Sequence, residues 1–171
     1  MRIDWTSPEL QGLFDALGVS IVDGTVTVPF ELGPHAGSIV VAAVGWATVE
    51  LDRAAAVLGE ELGTTFTPAA RDALLGASVR RSTGKEPPIL LLEPDTEGRL
   101  AGALARHGEG LVALYLRVAQ LEELLGQLSI RAGSGPFGPA RLVPGGPPWG
   151  PFVILVADQS PASADRVPSE P

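Results

Sequence analysis

Residues 89–118 read ILLLEPDTEGRLAGALARHGEGLVALYLRV. An apolar run closes at Glu93-Pro94. Residues 97–110 form a short helix that ends in glycine, and a second apolar run starts at Leu111. That second run has two unlike faces, because successive side chains of a strand point to opposite sides. Val112, Leu114, Leu116 and Val118 are wholly apolar. Leu111, Ala113, Tyr115 and Arg117 set a phenol and a guanidinium beside an alanine. The fold turns on what this second face looks at.

Working outward, Ser7-Pro8 reads as a helix start that runs to about Leu17 and stops at Gly18. Asp23-Gly24 between two β-rich runs is a hairpin signal, and ELGPHAG is a loop. SIVVAAVGWATVEL, from Ser38, is an apolar strand. DRAAAVLGEELG is a helix closed by Gly63. TPAARDALLG, with Thr67 as cap and Pro68 at the first helical position, is expected to be a second short helix or turn. ASVRRSTGKEPPILLLEP gives two strands joined at Thr83-Gly84-Lys85. AQLEELLGQL is an amphipathic helix, and residues 129–158 give three strands separated by a Gly/Pro loop and a turn. Residues 159–171 read as a disordered tail. Residues 38–158 thus carry a strand–helix–strand–strand pattern twice, as an internal duplication would.

The chain has 171 residues, enough for one domain with appendages. Hydrophobic residues make up 45 %, which supplies a core. A net charge of -8 without a basic stripe argues against nucleic acid and against anionic membranes. The absence of cysteine removes disulfides, thiolate metal sites and thiol nucleophiles together. No basic-then-apolar leader opens the chain, and the longest apolar stretch, 38–49, is too short to span a bilayer. A cytoplasmic location is the expectation.

VGWATVELDRAAAVL, the 89–118 stretch and LEELLGQL together resemble the vicinal oxygen chelate superfamily, in particular its methylmalonyl-CoA epimerase and glyoxalase-like members. The most specific part is LLEP, a short helix, GEGL and a strand. The resemblance implies an α+β fold in which paired βαβββ modules form a half-open barrel over residues 38–158, with residues 1–37 as an added helix and hairpin. It also implies a divalent metal in the cup. The four ligand positions correspond here to Ala43, Leu90, Ala113 and Ile154, none of which offers a lone pair. His35 and His107, the only histidines, fall in loops. No metal and no other cofactor are therefore expected.

Strand alternation from those four positions places Gly45, Ala47, Leu92, Tyr115, Arg117, Phe152 and Val156 on the same cavity face. Small residues on the first strand leave volume, and the other walls are apolar. That composition suits an apolar or aromatic small molecule. The alternative is a barrel packed shut, with side chains such as Phe152 and Leu90 filling the space. Tyr115 and Arg117 are the polar candidates: a phenol can polarise a carbonyl, and a guanidinium can clamp an oxyanion. Glu93 and Glu109 are expected to hold backbone turns, and Trp46 to pack under a helix away from the cavity. Trp5 and Trp149 lie in flanking segments that could cover the mouth. GSGPFG has glycines but not the strand-to-helix context of a dinucleotide loop.

Three functions follow. The first is a metal-independent enzyme of specialised metabolism, polyketide metabolism among it, promoting cyclisation, isomerisation or elimination. The second is a non-catalytic protein that sequesters a metabolite, and the third is a degenerate structural or dimerisation module. An isologous homodimer is expected.

Overall fold

The computed structural model describes residues 39–95, 97–119, 121, 131–144 and 148–157, together with residues 11, 12, 15, 20–22 and 25–27. The expectations for residues 159–171, for His35, for Trp5 and for most of the AQLEELLGQL helix lie outside the described residues. Of the amino-terminal helix, residues 11, 12 and 15 are described and are helical. β1 (Ser20–Val22) and β2 (Thr25–Thr27) pair antiparallel, with Val22 opposite Thr25, while Asp23 and Gly24 lie outside the described residues.

The main sheet is built from β3 (Ile39–Ala47), β4 (Phe66–Asp72), β5 (Ala77–Ser82), β6 (Ile89–Pro94), β7 (Gly110–Val118), β8 (Arg131–Gly135), β9 (Gly138–Leu142) and β10 (Phe152–Ala157). Their spatial order is β4-β5-β6-β3-β7-β10-β9-β8. The duplication expected from the sequence is visible in that order. In each half the first strand lies innermost, pairs in parallel with the last strand, and is followed outward by the third and the second. The halves join through the antiparallel β3–β7 pair. The backbone N–H of Ala73, after β4, donates to the carbonyl of Ser134 in β8 at 2.9 Å, so the two ends of the sheet meet and the barrel is nearly closed. The architecture is α+β, with an eight-stranded barrel-shaped sheet and two fully described helices.

Helix α1 (Leu51–Leu62) ends at Gly63 in the left-handed conformation, φ 59°. Its start has no cap of its own; the side chain of Glu93 accepts the N–H of Leu51 at 2.7 Å. Its inner face meets Trp46, Phe66 and Leu91, so Trp46 does pack under a helix. Helix α2 (Arg99–His107) buries Leu100, Ala103 and Leu104. His107 is its last residue rather than part of a loop, and it is exposed.

Of the short helix or turn expected at TPAARDALLG, no helix forms, and the turn is confined to residues 73–76. Residues 66–72 are strand β4, paired with β5 from Phe66 opposite Ser82 to Asp72 opposite Ala77. Thr67-Pro68 satisfies a helix start locally, yet Pro68 is equally acceptable in an edge strand, where its missing N–H breaks no inner ladder. β4 occupies that edge. Burial of Phe66 against α1 at one end and of Asp72 at the other decides between the two. No helix among the described residues is long and apolar enough to cross a membrane.

Candidate functional site

The second face of β7 looks into the barrel. Register places Tyr115 opposite Ala43 on β3 and Ile154 on β10, and Ala113 opposite Gly45 and Phe152. Gly45 in turn faces Leu90 on β6. Ala43, Leu90, Ala113 and Ile154 therefore sit on four adjacent strands, and each is 0 % exposed. With Ala47, Leu92, Phe152 and Val156 they form a single apolar cluster.

Buried side chains fill the interior between these strands. The four-residue turn after Asp72 turns Leu74 and Leu75 into the cluster, each 3 % exposed. A Cβ at Gly45 would lie 2.8 Å from both the Ala113 Cβ and Leu92 Cδ1, so the absence of a side chain there is used for close packing. Gly133 of β8 likewise has Leu74 at 2.8 Å from where its Cβ would be. The small residues mark tight contact, not vacant volume.

Tyr115 is 0 % exposed, and its hydroxyl donates to Asp72 Oδ2 at 2.7 Å. Asp72 Oδ1 accepts the N–H groups of Leu74 and Leu75, both at 2.9 Å. The carboxylate is thus the anchor of the turn that fills the barrel. Burial pushes the Asp72 carboxyl above the ordinary aspartate range, against the pull of its three hydrogen bonds. Burial, and then the neighbouring Asp72 charge, push the Tyr115 hydroxyl well above its usual value. The phenol is committed to an internal partner. Sequence reasoning missed Asp72; its one signal was a lone acid within PAARDALLG.

Arg117 is separated from Tyr115 in depth. It is half-buried at the barrel rim, where a concavity of about 310 Å3 is lined by Arg81, Arg117, Pro136, Phe137, Gly138 and Ala157. The Arg81 guanidinium lies 5.2 Å from the Phe137 ring centre, and the same ring meets Tyr115 edge-on at 6.0 Å. Arg53, Arg71 and Arg80 each reach a carboxylate. Among the described residues Arg81 and Arg117 reach none. Sequence reasoning did not single out Arg81; its signals were the Arg80-Arg81 pair and its alternation with Ala77 and Val79. Phe137 lies in GSGPFG, where Pro136-Phe137 is the turn between β8 and β9.

A second concavity, also about 310 Å3, lies between α2 and the approach to β10 and includes His107, Glu109 and Trp149. Trp149 stands on α2, its ring against Gly102 and 5.8 Å from the Arg106 guanidinium. Glu109 holds the turn before α1: its Oε1 accepts Thr48 Oγ1 at 2.6 Å, the Val49 N–H at 2.9 Å and Arg53 at 2.5 Å. Those bonds, Arg53 foremost, lower its carboxyl to about 2. Among the described residues no three His, Asp or Glu side chains converge on a metal-sized site.

No family model and no curated protein matches the chain in sequence. Solved structures do match in fold. Methylmalonyl-CoA epimerase from Mycobacterium tuberculosis aligns over 72 % of this chain and 91 % of its own, at 21 % identity and TM-score 0.56. A hypothetical protein from Bacillus halodurans aligns over 72 % and 96 %, at 15 % identity and TM-score 0.56. The Streptomyces coelicolor epimerase in complex with 2-nitronate-propionyl-CoA aligns over 70 % and 97 %, at 16 % identity and TM-score 0.56. The fold is that of the vicinal oxygen chelate superfamily.

Proposed function

We propose that this vicinal oxygen chelate fold has given up its central metal site, and that the chain is a metal-independent small-molecule-binding protein that takes its ligand at the barrel's periphery. One observation carries this: Ala43, Leu90, Ala113 and Ile154, the positions to which the family resemblance assigns ligands, are all hydrocarbon and all at 0 % exposure. A divalent cation needs oxygen, nitrogen or thiolate donors, and an ion without them bears an unrecovered desolvation cost. The residues present do not fit the metal, and no chemical step is drawn through one.

The test is direct. Purified full-length protein is analysed for metals, then titrated with Co2+, Ni2+, Mn2+ and Zn2+ in a calorimeter, with and without prior chelation. The expected result is no stoichiometric metal, no saturable one-to-one binding, and a melting temperature that chelator leaves unchanged. A single tightly held ion per chain would overturn the proposal.

A second function rests on a different observation, the buried Tyr115–Asp72 pair at the barrel centre. Perturbed acid–base pairs cluster at active sites. In a metal-independent cyclase or isomerase of specialised metabolism the turn carrying Leu74 and Leu75 would swing out, and Tyr115 would donate to a carbonyl oxygen while Asp72 accepts a proton. Turnover of a polyketide-like substrate that Tyr115→Phe abolishes, with binding retained, supports it. Substrate binding and turnover that both survive Tyr115→Phe would sink it.

A further inference from the structure

We infer that the rim concavity bounded by Arg81, Arg117 and Phe137 is a binding site for a small aromatic or other planar carboxylic acid. This rests on the proposal above only in placing the ligand at the periphery of a closed barrel.

The argument starts from charge. The chain carries -8 overall, with 20 Asp and Glu against 12 Lys and Arg. Arg53, Arg71 and Arg80 each meet a carboxylate, whereas Arg99, Arg106 and Arg141, like the pair at the rim, meet none among the described residues, so it is convergence on one concavity that sets Arg81 and Arg117 apart. Arg81 and Arg117 come from different strands, β5 and β7, and neither meets a carboxylate among the described residues, although both line one concavity. Two unneutralised guanidiniums repel each other, and an oxyanion between them relieves that repulsion. Planar donor forks match a carboxylate bidentately.

The aromatic wall adds the second half of the recognition. Phe137 sits at the turn between β8 and β9, edge-on to the buried Tyr115 ring. Arg81 rests over it at 5.2 Å, which limits the rotamers of that long side chain before any ligand arrives. Pro136 and Ala157 complete an apolar border. The volume of about 310 Å3 is at the small end of ligand pockets, roughly 300–1,000 Å3. It suits a single-ring acid and not a nucleotide. Arg117, singled out from sequence as a clamp, thus acquires a partner from the other half of the barrel.

The experiment is calorimetric titration of the full-length protein at pH 7 with trans-cinnamate, its neutral amide, and inorganic phosphate. Cinnamate is expected to bind one-to-one, the amide about tenfold more weakly or worse, and phosphate more weakly than cinnamate. Arg81→Gln and Arg117→Gln are each expected to lose about tenfold or more in cinnamate affinity. Phe137→Leu is expected to weaken cinnamate and leave phosphate unchanged. Circular dichroism confirms that each variant folds. Absence of cinnamate binding, equal binding of acid and amide, or full affinity in both arginine variants would overturn the site. Phosphate binding as tightly as cinnamate would overturn the aromatic assignment. Metal content of the same sample reports separately on the closed, metal-free barrel.

Discussion

Tyr115→Phe isolates the bond on which the filled barrel depends. The substitution removes one oxygen and leaves the ring, so packing against Ala43, Ile154 and Phe137 is kept. What is lost is the 2.7 Å bond to Asp72 Oδ2, in a site where Asp72 is 0 % exposed and water cannot substitute. A hydrogen bond to a charged group contributes about 1.5–3 kcal/mol, and the orphaned oxygen places this site toward the upper end. For a chain of this size that corresponds to a fall in melting temperature of roughly 5–10 °C. The pH dependence is the sharper test. Asp72 has a folded pKa above its ordinary 3.8, so protonation favours the folded state; that contribution is complete below 3.8 and disappears as pH rises through the folded pKa. The phenol opposes the shift because it stabilises the charged form. Without it the Asp72 pKa rises further. The destabilisation is therefore small in acid, where the neutral carboxyl needs the phenol less, and full near neutrality. Urea unfolding of both proteins from pH 3 to pH 8, followed by circular dichroism, measures this. A loss below about 0.5 kcal/mol at pH 7, the range of an unimportant surface change, would refute the reasoning, as would a loss that does not vary with pH.

Glu109→Gln tests the staple at the start of α1: its folded pKa of about 2 lies below the ordinary 4.5, so its contribution is present above 4.5 and is lost as pH falls toward 2. The variant is expected to be less stable at pH 7 and to show a flatter acid limb in urea melts; an unchanged acid slope counts against the assignment. Gly45→Ala should cost about 1–3 kcal/mol by overpacking, because the Ala113 Cβ it meets at 2.8 Å is fixed to the backbone. Adding Ala113→Gly should recover part of that loss in a double-mutant cycle, and strict additivity would argue against the contact. Leu74→Ala should destabilise by about 2–5 kcal/mol, as expected of a buried leucine. Gly133→Ala should be harmful in the parent and tolerated in the Leu74→Ala background, since the atoms it meets are Leu74 Cγ and Cδ2.

The two-faced character of β7 was legible because strand alternation is local and periodic. So were the glycine stop of α1, the antiparallel pairing of β1 with β2 and the turn roles of Glu93 and Glu109. β4 was not, because Thr67-Pro68 and the alanines are compatible with a helix start, and pairing with β5 decides the matter. Alternation also identified which side chains enter the barrel, but it could not say whether they meet. That depends on volume brought from elsewhere: Leu74 and Leu75 arrive on a turn anchored by Asp72, and nothing in their own neighbourhood announces the destination. The rim site was half visible. Arg117 follows from its strand, whereas its companions come from the other module and from a glycine-rich turn.

The seam between β4 and β8 has a consequence for the life of the chain in a crowded solution. An open sheet ends in two rows of unpaired backbone donors and acceptors, each a template on which another chain can add a strand. Here the two termini of the sheet face each other, with Pro68 interrupting one row and the Ala73–Ser134 bond bridging the gap. This approach of the two ends crowds the edges that another chain would have to reach, so near-closure of the barrel also disfavours edge-to-edge aggregation.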